Sequence, residues 1–326
     1  MSLHPKTTGA IALALFALAA TLVASPAHAS CGSAYCSLNT DLAAEAAGIT
    51  EGSTFDLRYE SIKQAQPRTG SDKISVGQIP HHHDEVSTRN RNLLATFSHS
   101  FASGWGFSAT APLVDREHLH IHNHHGAQLP EQWHFREAAD LRRGDPYQWL
   151  PASGDDVPRT VGAIAGLKLP TGRTGIANEE GAVAERSLQP GTGTTDLILG
   201  AYLHQPLPAQ QASWFTQAQW QRAFAEHAGY RPGNQFSVDL GYARALADKL
   251  SGIVQLNAVW KGRDRGAQAE PEDSGSRSLY LSPGLSWQWT DALRTYAYYQ
   301  HPLYQHVNGV QLTADRAFVI GVSTRF

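Results

Sequence analysis

Apolar and polar side chains alternate with a period of two residues along most of the chain after residue 52. In the first such stretch Phe55, Leu57 and Tyr59 share one face of an extended strand, and the residues between them share the other. Strict alternation of this kind predicts half-exposed β-strands. It recurs often enough to predict about twelve strands of roughly ten to fourteen residues, the length that a tilted strand needs to cross a membrane. The stretches of clearest alternation, each within one predicted strand, lie near 52–60, 93–101, 105–113, 138–150, 161–169, 197–203, 214–224, 236–242, 250–260, 279–289, 293–304 and 317–326.

The chain ends on an alternating strand that stops at an aromatic residue. In residues 317–326 the apolar face runs from Phe318 through Ile320 and Val322 to the terminal Phe326. A closing strand of this type is similar to the signal that the insertion machinery of bacterial outer-membrane barrels reads. We therefore expect this strand to pair with the one at 55–59, with the insertion machinery as a partner of the chain. Arg325 should then face the interior near the periplasmic mouth.

The connections between predicted strands alternate between short and long. Short turns fall at 102–104, 206–212, 247–249 and 290–291, and long polar loops fall at about 65–87, 118–137, 171–193, 225–234 and 262–276. Short periplasmic turns and long outer loops are typical of outer-membrane barrels. The predicted fold class is all-β, an antiparallel transmembrane β-barrel of about 12 strands that occupies residues 52–326. The strand at 138–150 is the weakest prediction, because Pro146 cannot donate a hydrogen bond to a ladder.

The start of the chain predicts export. An apolar run at 9–24 follows Lys6 and precedes the sequence AHA, which is the pattern of a signal peptide at 1–29 cleaved after Ala29. Residues 30–51 would then form a periplasmic N-terminal segment that contains Cys31 and Cys36. Export allows these two cysteines to form a disulfide, and a metal pair is the rival interpretation. The predicted location is the outer membrane of a Gram-negative bacterium.

Composition excludes some classes of protein and leaves others open. Charged residues make up 17% of the chain and the formal net charge is −3, so there is no electrostatic case for a nucleic-acid partner. A mean hydropathy of −0.34 argues against a bundle of spanning helices but not against a barrel, whose strands alternate in polarity. A secreted soluble β-sandwich or lipocalin-like barrel is the alternative. Polar rows such as Gln217, Gln219 and Gln221 favour the membrane barrel, because a packed core would have to supply partners for them whereas a wet lumen would not.

The polar faces of the strands identify the side chains that should line the interior of the barrel. Their charges have both signs, so a channel lined by them should not be strongly ion-selective. The tyrosines among them offer an apolar path to small aromatic solutes. The predicted lumen-facing residues are Arg58, Glu60, Lys168, Asp196, Gln217, Gln219, Gln221, Asp239, Gln255, Asn257, Tyr296, Tyr298 and Arg325.

Histidine clusters in two of the predicted outer loops are the main candidate for metal chemistry. Imidazoles at every second residue of an extended segment point to one side, and Zn²⁺ and Cu²⁺ both accept imidazole ligands. The alternative function is therefore a surface metal-binding or metal-handling barrel. A rival interpretation is that these histidines are solvated loop residues that titrate near neutral pH. The clustered residues are His81, His82, His83, His118, His120, His122, His124 and His125.

Catalytic signatures are missing from the sequence. There is no G-x-S-x-G elbow, Walker loop or H-E-x-x-H motif. His99 points to the opposite face of its strand from Ser98 and Ser100, so these three cannot form a Ser–His pair within the strand. We expect no enzymatic activity, and no cofactor apart from Zn²⁺ or Cu²⁺ at the histidine clusters.

Four short motifs resemble a known family. These are CGSAYCSLN at 31–39, GLKLPTG at 166–172, LQPGTGTTD at 188–196 and PLYQHVNGVQL at 302–312. They are similar to those of the outer-membrane family labelled "putative MetA-pathway of phenol degradation", and the resemblance extends over most of the exported chain. The sequence departs from that family at 142–146, where a smooth strand is expected. The resemblance implies an outer-membrane channel or transporter for small, aromatic solutes, with membrane lipid and the solute as its partners.

Overall fold

The computed structural model describes residues 38–40, 51–79, 84–124, 127–149 and 159–326. The predicted signal peptide and the Cys31–Cys36 pair lie outside these residues. No helix within the described ranges is long and apolar enough to cross a membrane.

The described secondary structure consists of thirteen β-strands and one short 3₁₀ turn at Pro208–Gln210. Strands β1, β3 and β4 are the longest of the first twelve. The strands are β1 (Gly52–Gly70), β2 (Asp72–Lys73), β3 (Asp84–Ser100), β4 (Gly106–His124), β5 (Ala127–Ala138), β6 (Leu141–Trp149), β7 (Thr160–Leu169), β8 (Asp196–Leu207), β9 (Ala212–Ala223), β10 (Gln235–Ala247), β11 (Leu250–Lys261), β12 (Ser276–Gln288) and β13 (Leu293–Arg325).

Antiparallel pairing closes these strands into a barrel. Neighbours along the chain pair from β6 to β13, β4 pairs with β3, β3 with β1, and β1 with β13. Strand β13 is a hairpin, because its first half pairs with β12, its second half pairs with β1, and the Arg325 amide donates to the Ala292 carbonyl over 2.9 Å. Strands β5 and β6 follow each other along the same edge of β4, so that together they cross the barrel wall once. The wall is therefore crossed twelve times, and the predicted fold class is confirmed.

The closing pairing agrees with the sequence prediction. Phe55 lies opposite Thr324 and Tyr59 opposite Ile320, so residues 317–326 pair with the first strand. The Phe326 and Ser53 backbones also exchange two hydrogen bonds of 2.9 Å. Pairing of the last strand with the first leaves the barrel without a free edge.

The doubtful strand at 138–150 is formed, but with a break. Strand β5 ends at Ala138 and β6 begins at Leu141, and the pairing partner on β4 shifts by one residue across the break. Pro146 is tolerated because it lies in the gap between the β4–β6 ladder at 142–144 and the bridge between Trp105 and Tyr147, beside Gly106, a residue without a side chain. The irregular sequence at 142–146 thus coincides with a gap in the hydrogen-bond ladder between β4 and β6.

One of the five predicted long loops is wrong, and another is shorter than predicted. The predicted loop at 118–137 is a β-hairpin, because β4 continues to His124 and β5 begins at Ala127. In the loop predicted at 65–87, β1 extends to Gly70 and β3 begins at Asp84. The physical reason is that His118–Leu119–His120–Ile121 keeps the period-two alternation of a strand, with histidine as the polar member. The long connections β7–β8, β9–β10 and β11–β12 are confirmed.

The outer surface of the barrel is apolar. Phe55, Leu199, Leu256 and Ile320 are all exposed, up to 59% for Ile320, although a soluble protein would bury such side chains. Their neighbours along each strand point inward and are mostly buried. An apolar exterior around a polar interior is the arrangement that a lipid bilayer requires of a barrel.

Candidate functional site: the barrel interior

Polar side chains bond to one another across the long strands β1, β3 and β4. The Asn92 amide donates to the Glu60 carboxylate over 3.1 Å, and the Asn90 amide donates to Gln64 over 3.0 Å. Arg116 donates to Asn90 over 2.6 Å. All five side chains are buried. Because these residues alternate with outward-facing ones, the ladder follows directly from strand geometry.

A second polar network lies on β10, β11 and β12. Asn257 is its centre and donates to Asp239 over 2.8 Å, while Ser282 donates to Asn257 over 2.7 Å. Gln300 in turn donates to Ser282 over 3.3 Å. The interior is therefore polar on both sides, and its donors and acceptors bond largely to one another.

A buried ion cluster joins the β5–β6 break to the β7–β8 loop. The Lys168 ammonium lies 2.9 Å from Asp140 and 3.2 Å from Asp196. Asp140 also accepts hydrogen bonds of 3.0 Å from the backbone amides of Gly172 and Thr192, near the two ends of the loop. One cation between two carboxylates leaves a net negative charge, so these added donors are needed to stabilise the burial. Asp140 thereby holds both ends of the 170–195 loop.

Aromatic rings lie over glycines of the neighbouring strands in the lower half of the interior. A Cβ atom placed on Gly241 would lie 2.1 Å from the Phe215 ring, and one on Gly162 would lie 2.2 Å from the Tyr202 ring. The Tyr298 ring covers Gly284 in the same way. These rings can approach the sheet so closely because glycine has no side chain.

Residues 38–40 of the N-terminal segment lie inside the barrel. The backbone of Asn39 exchanges two hydrogen bonds with the Gln255 side chain, of 3.2 and 2.8 Å. Arg58 donates to the Thr40 hydroxyl over 3.0 Å, and Leu38 packs among the buried interior side chains. The N-terminal segment therefore occupies part of the space that the strands enclose.

Three cavities follow one another along the barrel. The outer one is small, about 40 Å³, the middle one is about 300 Å³, and the one at the periplasmic end is about 130 Å³. The outer and middle cavities share Gln235 and Val259 in their linings. The middle and periplasmic cavities share Ser108, Ile164 and Gln217. The shared residues mark the two positions where one cavity gives way to the next.

Two outer loops meet over the barrel and carry buried carboxylates. Burial, and then the charges of Glu270 and Glu85, raise the pKa of Glu185 in the β7–β8 loop well above its usual range. Burial, together with the charges of Glu85 and Asp273, raises the pKa of Glu270 in the β11–β12 loop to about 8. Arg116 donates to the Leu188 carbonyl and thereby ties the first of these loops to β4.

The structure groups several of the residues that the sequence assigned to the lumen. Lys168 and Asp196 belong to the ion cluster, and Asp239, Gln255 and Asn257 belong to the network on β10 and β11. Arg325 is exposed at the end of the last strand and donates to the Glu51 carbonyl over 3.0 Å. Buried inside are Glu60, Lys168, Asp196, Asp239, Gln255, Asn257, Tyr296 and Tyr298; half-buried are Arg58, Gln217, Gln219 and Gln221.

Sequence analysis missed several interior residues. Asn90 and Asn92 lie just before Leu93 and continue the alternation of its strand toward lower residue numbers. Extending the predicted strand in that direction identifies both as inward-facing residues. The apolar alternation predicts a strand only to about residue 113, so it does not identify Arg116 as an interior residue. Asp140 lies in the break between β5 and β6, where the alternation of inward- and outward-facing residues is interrupted. The alternation therefore cannot identify Asp140 as an interior residue.

The two members of the predicted histidine clusters whose side chains are described, His118 and His120, lie inside the barrel instead of in a surface loop. His118 and His120 are buried, with ring centroids 5.8 and 4.8 Å from that of Trp133. The Thr88 hydroxyl lies 2.8 Å from His118, and His120 lies 3.0 Å from the Glu131 carboxylate. The side chains of the other clustered histidines fall outside the described residues, so metal binding there stays a prediction.

A different grouping has the spacing of metal ligands. Donor atoms of Asp115, Glu117 and His134 lie within 4.8 Å of one another. They are on the outer face of β4 and β5, where Arg91 and Arg136 already form ion pairs with Asp115. These guanidinium groups supply the positive charge that a metal ion would otherwise provide.

His99 has a serine partner from another strand. The Ser53 hydroxyl on β1 lies 2.9 Å from the His99 ring. The same ring packs edge-on against Phe101, with 4.5 Å between centroids, and 6.0 Å from Phe107. These contacts are those of a residue in the aromatic girdle of the barrel.

Comparison with known proteins gives one family and several related folds. The family model "Putative MetA-pathway of phenol degradation" matches residues 102–314, well over half of the chain. An outer membrane channel from Pseudomonas putida F1 superposes with a TM-score of 0.63 at 12% identity, covering 86% of this chain and 97% of that one. No curated protein matches the sequence.

Two further solved structures are more distant. A Pseudomonas aeruginosa FadL homologue gives a TM-score of 0.42 at 10% identity and covers 91% of this chain and 96% of that one. The KdgM porin gives 0.41 at 10% identity and covers 84% and 99%. The apolar exterior, the closed twelve-crossing wall and the similarity in fold identify an outer-membrane β-barrel. With the family match over residues 102–314, the chain belongs to the outer-membrane family described as "Putative MetA-pathway of phenol degradation".

Proposed function

We propose that this protein is a channel that passes small solutes across the outer membrane without catalysis. The observation that carries the proposal is the series of three cavities that share lining residues from the outer to the periplasmic end. A barrel whose interior was filled only for stability would not need a middle cavity of about 300 Å³.

The middle cavity supports passage of a small solute with both polar and apolar parts. Arg58, Arg142 and Asp239 contribute charges of both signs to its lining, and Leu94, Ile164 and Val259 contribute apolar surface. Mixed charges do not exclude either sign of solute strongly. The family name supports small aromatic compounds as the cargo, and the similar fold in Pseudomonas putida F1 is named a channel.

Residues 38–40 narrow this path. The proposed channel is therefore not a large, permanently open pore. The hydrogen bonds from Gln255 and Arg58 hold these residues beside the middle cavity. Export by a signal peptide at 1–29, and a Cys31–Cys36 disulfide in the segment that precedes Leu38, are part of the same proposal.

Single-channel recording in planar bilayers tests the proposal. Gln217 is shared by the middle and periplasmic cavities, so Gln217→Trp should lower the conductance at least severalfold by filling the passage between them. Gln210→Trp, in the exposed β8–β9 turn, is the matched control and should leave the conductance unchanged. Entry of benzoate into proteoliposomes should fall in parallel with the conductance. A wild-type barrel that neither conducts ions nor admits benzoate would contradict the proposal.

A further inference from the structure

The outer face of the barrel changes from apolar to charged along one continuous part of the wall. On β1 the outward-facing residue Tyr59 is followed by Ser61 and Lys63, and on β3 Leu93 is followed outward by Arg91 and Arg89. On β13 Phe318 is followed by Arg316, which lies opposite Lys63. We call the outward-facing cations of this region the basic face; they are Lys63, Arg89, Arg91, Arg136 and Arg316.

The basic face is continuous because strand register brings its members together. Cross-strand pairs run from Arg316 to Lys63, from Lys63 to Arg89 and from Arg89 to Glu117. The next pair is Glu117 with His134 on β5. These five strands are neighbours in the barrel wall, and neighbouring strands lie about 4.8 Å apart. The face therefore spans about 20 Å of the circumference.

The charge of this face is positive. Its five cations are accompanied by the outward-facing carboxylates of Asp115 and Glu117 and by Asp315, the bulge residue beside Arg316, which leaves an excess of two positive charges (five minus three). Arg136 contacts Asp115 through two nitrogens, at 3.2 and 2.7 Å, and Arg91 pairs with both carboxylates. Among the ion pairs of the described residues, none includes Lys63 or Arg316. The carboxylates of Asp115 and Glu117 therefore hold the side chains of Arg91 and Arg136 in place, but they do not neutralise the positive charge of the basic face.

The far side of the barrel carries aromatic side chains at the corresponding part of its strands. Trp220, Phe236 and Trp260 lie on the outward faces of β9, β10 and β11 near their outer ends. Single exposed cations, Arg222 and Arg277, adjoin them. Aromatic residues at this position are the ordinary girdle of an outer-membrane barrel. The concentration of cations on β1, β3, β5 and β13 is thus a local feature.

We propose that the basic face binds the phosphate groups of the phosphorylated glycolipid that forms the outer leaflet of the outer membrane. The cations begin two to four residues beyond the apolar side chains, about 7–13 Å along a strand. That distance places them where lipid headgroups begin. Guanidinium groups bind phosphate through paired hydrogen bonds, and fixed cations near a membrane surface attract anionic lipid. The binding does not depend on the channel function proposed above.

Lipid titration of the purified full-length protein, followed by native mass spectrometry, tests the assignment. The probe is lipid A with two phosphates, compared with its dephosphorylated form. Each cation removed near a lipid surface should weaken binding about fivefold, so Lys63→Gln with Arg316→Gln should weaken it about 25-fold. These two residues are chosen because their replacement leaves intact the ion pairs that Arg91 and Arg136 form with Asp115 and Glu117.

The control variant removes two outward-facing cations elsewhere. Arg222→Gln with Arg277→Gln should change lipid A affinity by less than twofold, and heat-modifiable gel migration shows that both variants are folded. Equal losses in the two variants would mean a general charge effect and would overturn the assignment. Binding of dephosphorylated lipid as tight as that of lipid A would overturn it as well.

Discussion

The barrel has a tall wall, formed by β1, β3 and β4, and a short wall, formed by β7 to β12. Strands of the tall wall have 17–19 residues and those of the short wall 10–13. Side chains of the tall wall bond to one another in a polar ladder, whereas the lower short wall is filled by rings that lie over glycines. The interior is thus filled by polar hydrogen bonds along the tall wall and by packing of aromatic rings on glycines along the short wall.

The difference in height explains how the outer loops are held. The short wall ends early, and its long connections cross toward the tall wall, where they contact β4, β5 and β13. Trp133 on β5 donates to the Ala182 carbonyl over 2.9 Å, and Leu188 is almost fully buried. At the other loop, Asp273 accepts a 2.8 Å hydrogen bond from the Val310 amide of β13. The tall wall and the adjoining strands β5 and β13 therefore provide the surface on which the loops pack.

The largest effect should come from breaking the ion cluster where the two walls meet. Lys168→Ala leaves the carboxylates of Asp140 and Asp196 buried without their cation. Removal of one partner from a buried ion pair costs about 3–5 kcal/mol. Urea unfolding in detergent micelles, followed by gel mobility, should show this loss. Lys249→Ala, at an exposed turn, is the control and should unfold like the wild type. Equal stability of the two variants would mean that the cluster does not hold the walls together.

A smaller loss is expected from filling a glycine of the short wall. Gly241→Val places methyl groups where the fully buried Phe215 ring lies, so the ring would have to move out of its packed position. Overpacking of this kind costs about 1–3 kcal/mol. Gly175→Ala, where an added Cβ meets nothing within 4 Å, is the control and should be neutral. Thermal unfolding monitored by loss of the compact gel band measures both; a stable Gly241→Val barrel would show that the rings are not closely packed.

The smallest effect concerns the carboxylates of the crossing loops. The folded pKa of Glu270 is about 8, above its ordinary value of 4.5, so its contribution to stability is complete below pH 4.5 and is lost as pH rises through 8. Hydrogen exchange of the 262–275 loop, corrected for intrinsic rates, should therefore lose at least tenfold protection between pH 5 and pH 8.5. Glu270→Gln should flatten this dependence, whereas Glu226→Gln, in the exposed β9–β10 loop, should retain it. A loop whose protection is independent of pH in the wild type would contradict the prediction.

Much of the fold could be predicted because it depends on a local period. The alternation in 317–326 and its partner near Phe55–Tyr59 indicated a closing pair, and the pairing of Tyr59 with Ile320 agrees with it. At the β4–β5 hairpin the polar members of the alternation are histidines, and a histidine-rich segment is equally typical of a polar loop, so the period alone does not identify the hairpin. The period-two alternation places Asn257 and Gln255 on the same face of their strand. It does not indicate that Asn257 donates a hydrogen bond to Asp239 or that Gln255 donates one to Asn39.

By itself the sequence determined strand positions, the side of each strand that faces lipid, and membership of the family. These depend on neighbours one or two residues apart and on short turn motifs, which are properties of the linear chain. Only the tertiary structure decided that Asp140, Lys168 and Asp196 meet, that residues 38–40 lie among the strands, and that Lys63 and Arg316 are neighbours. Closure of the barrel brings together residues that are far apart in the chain, and their partners depend on register and packing that no local pattern encodes.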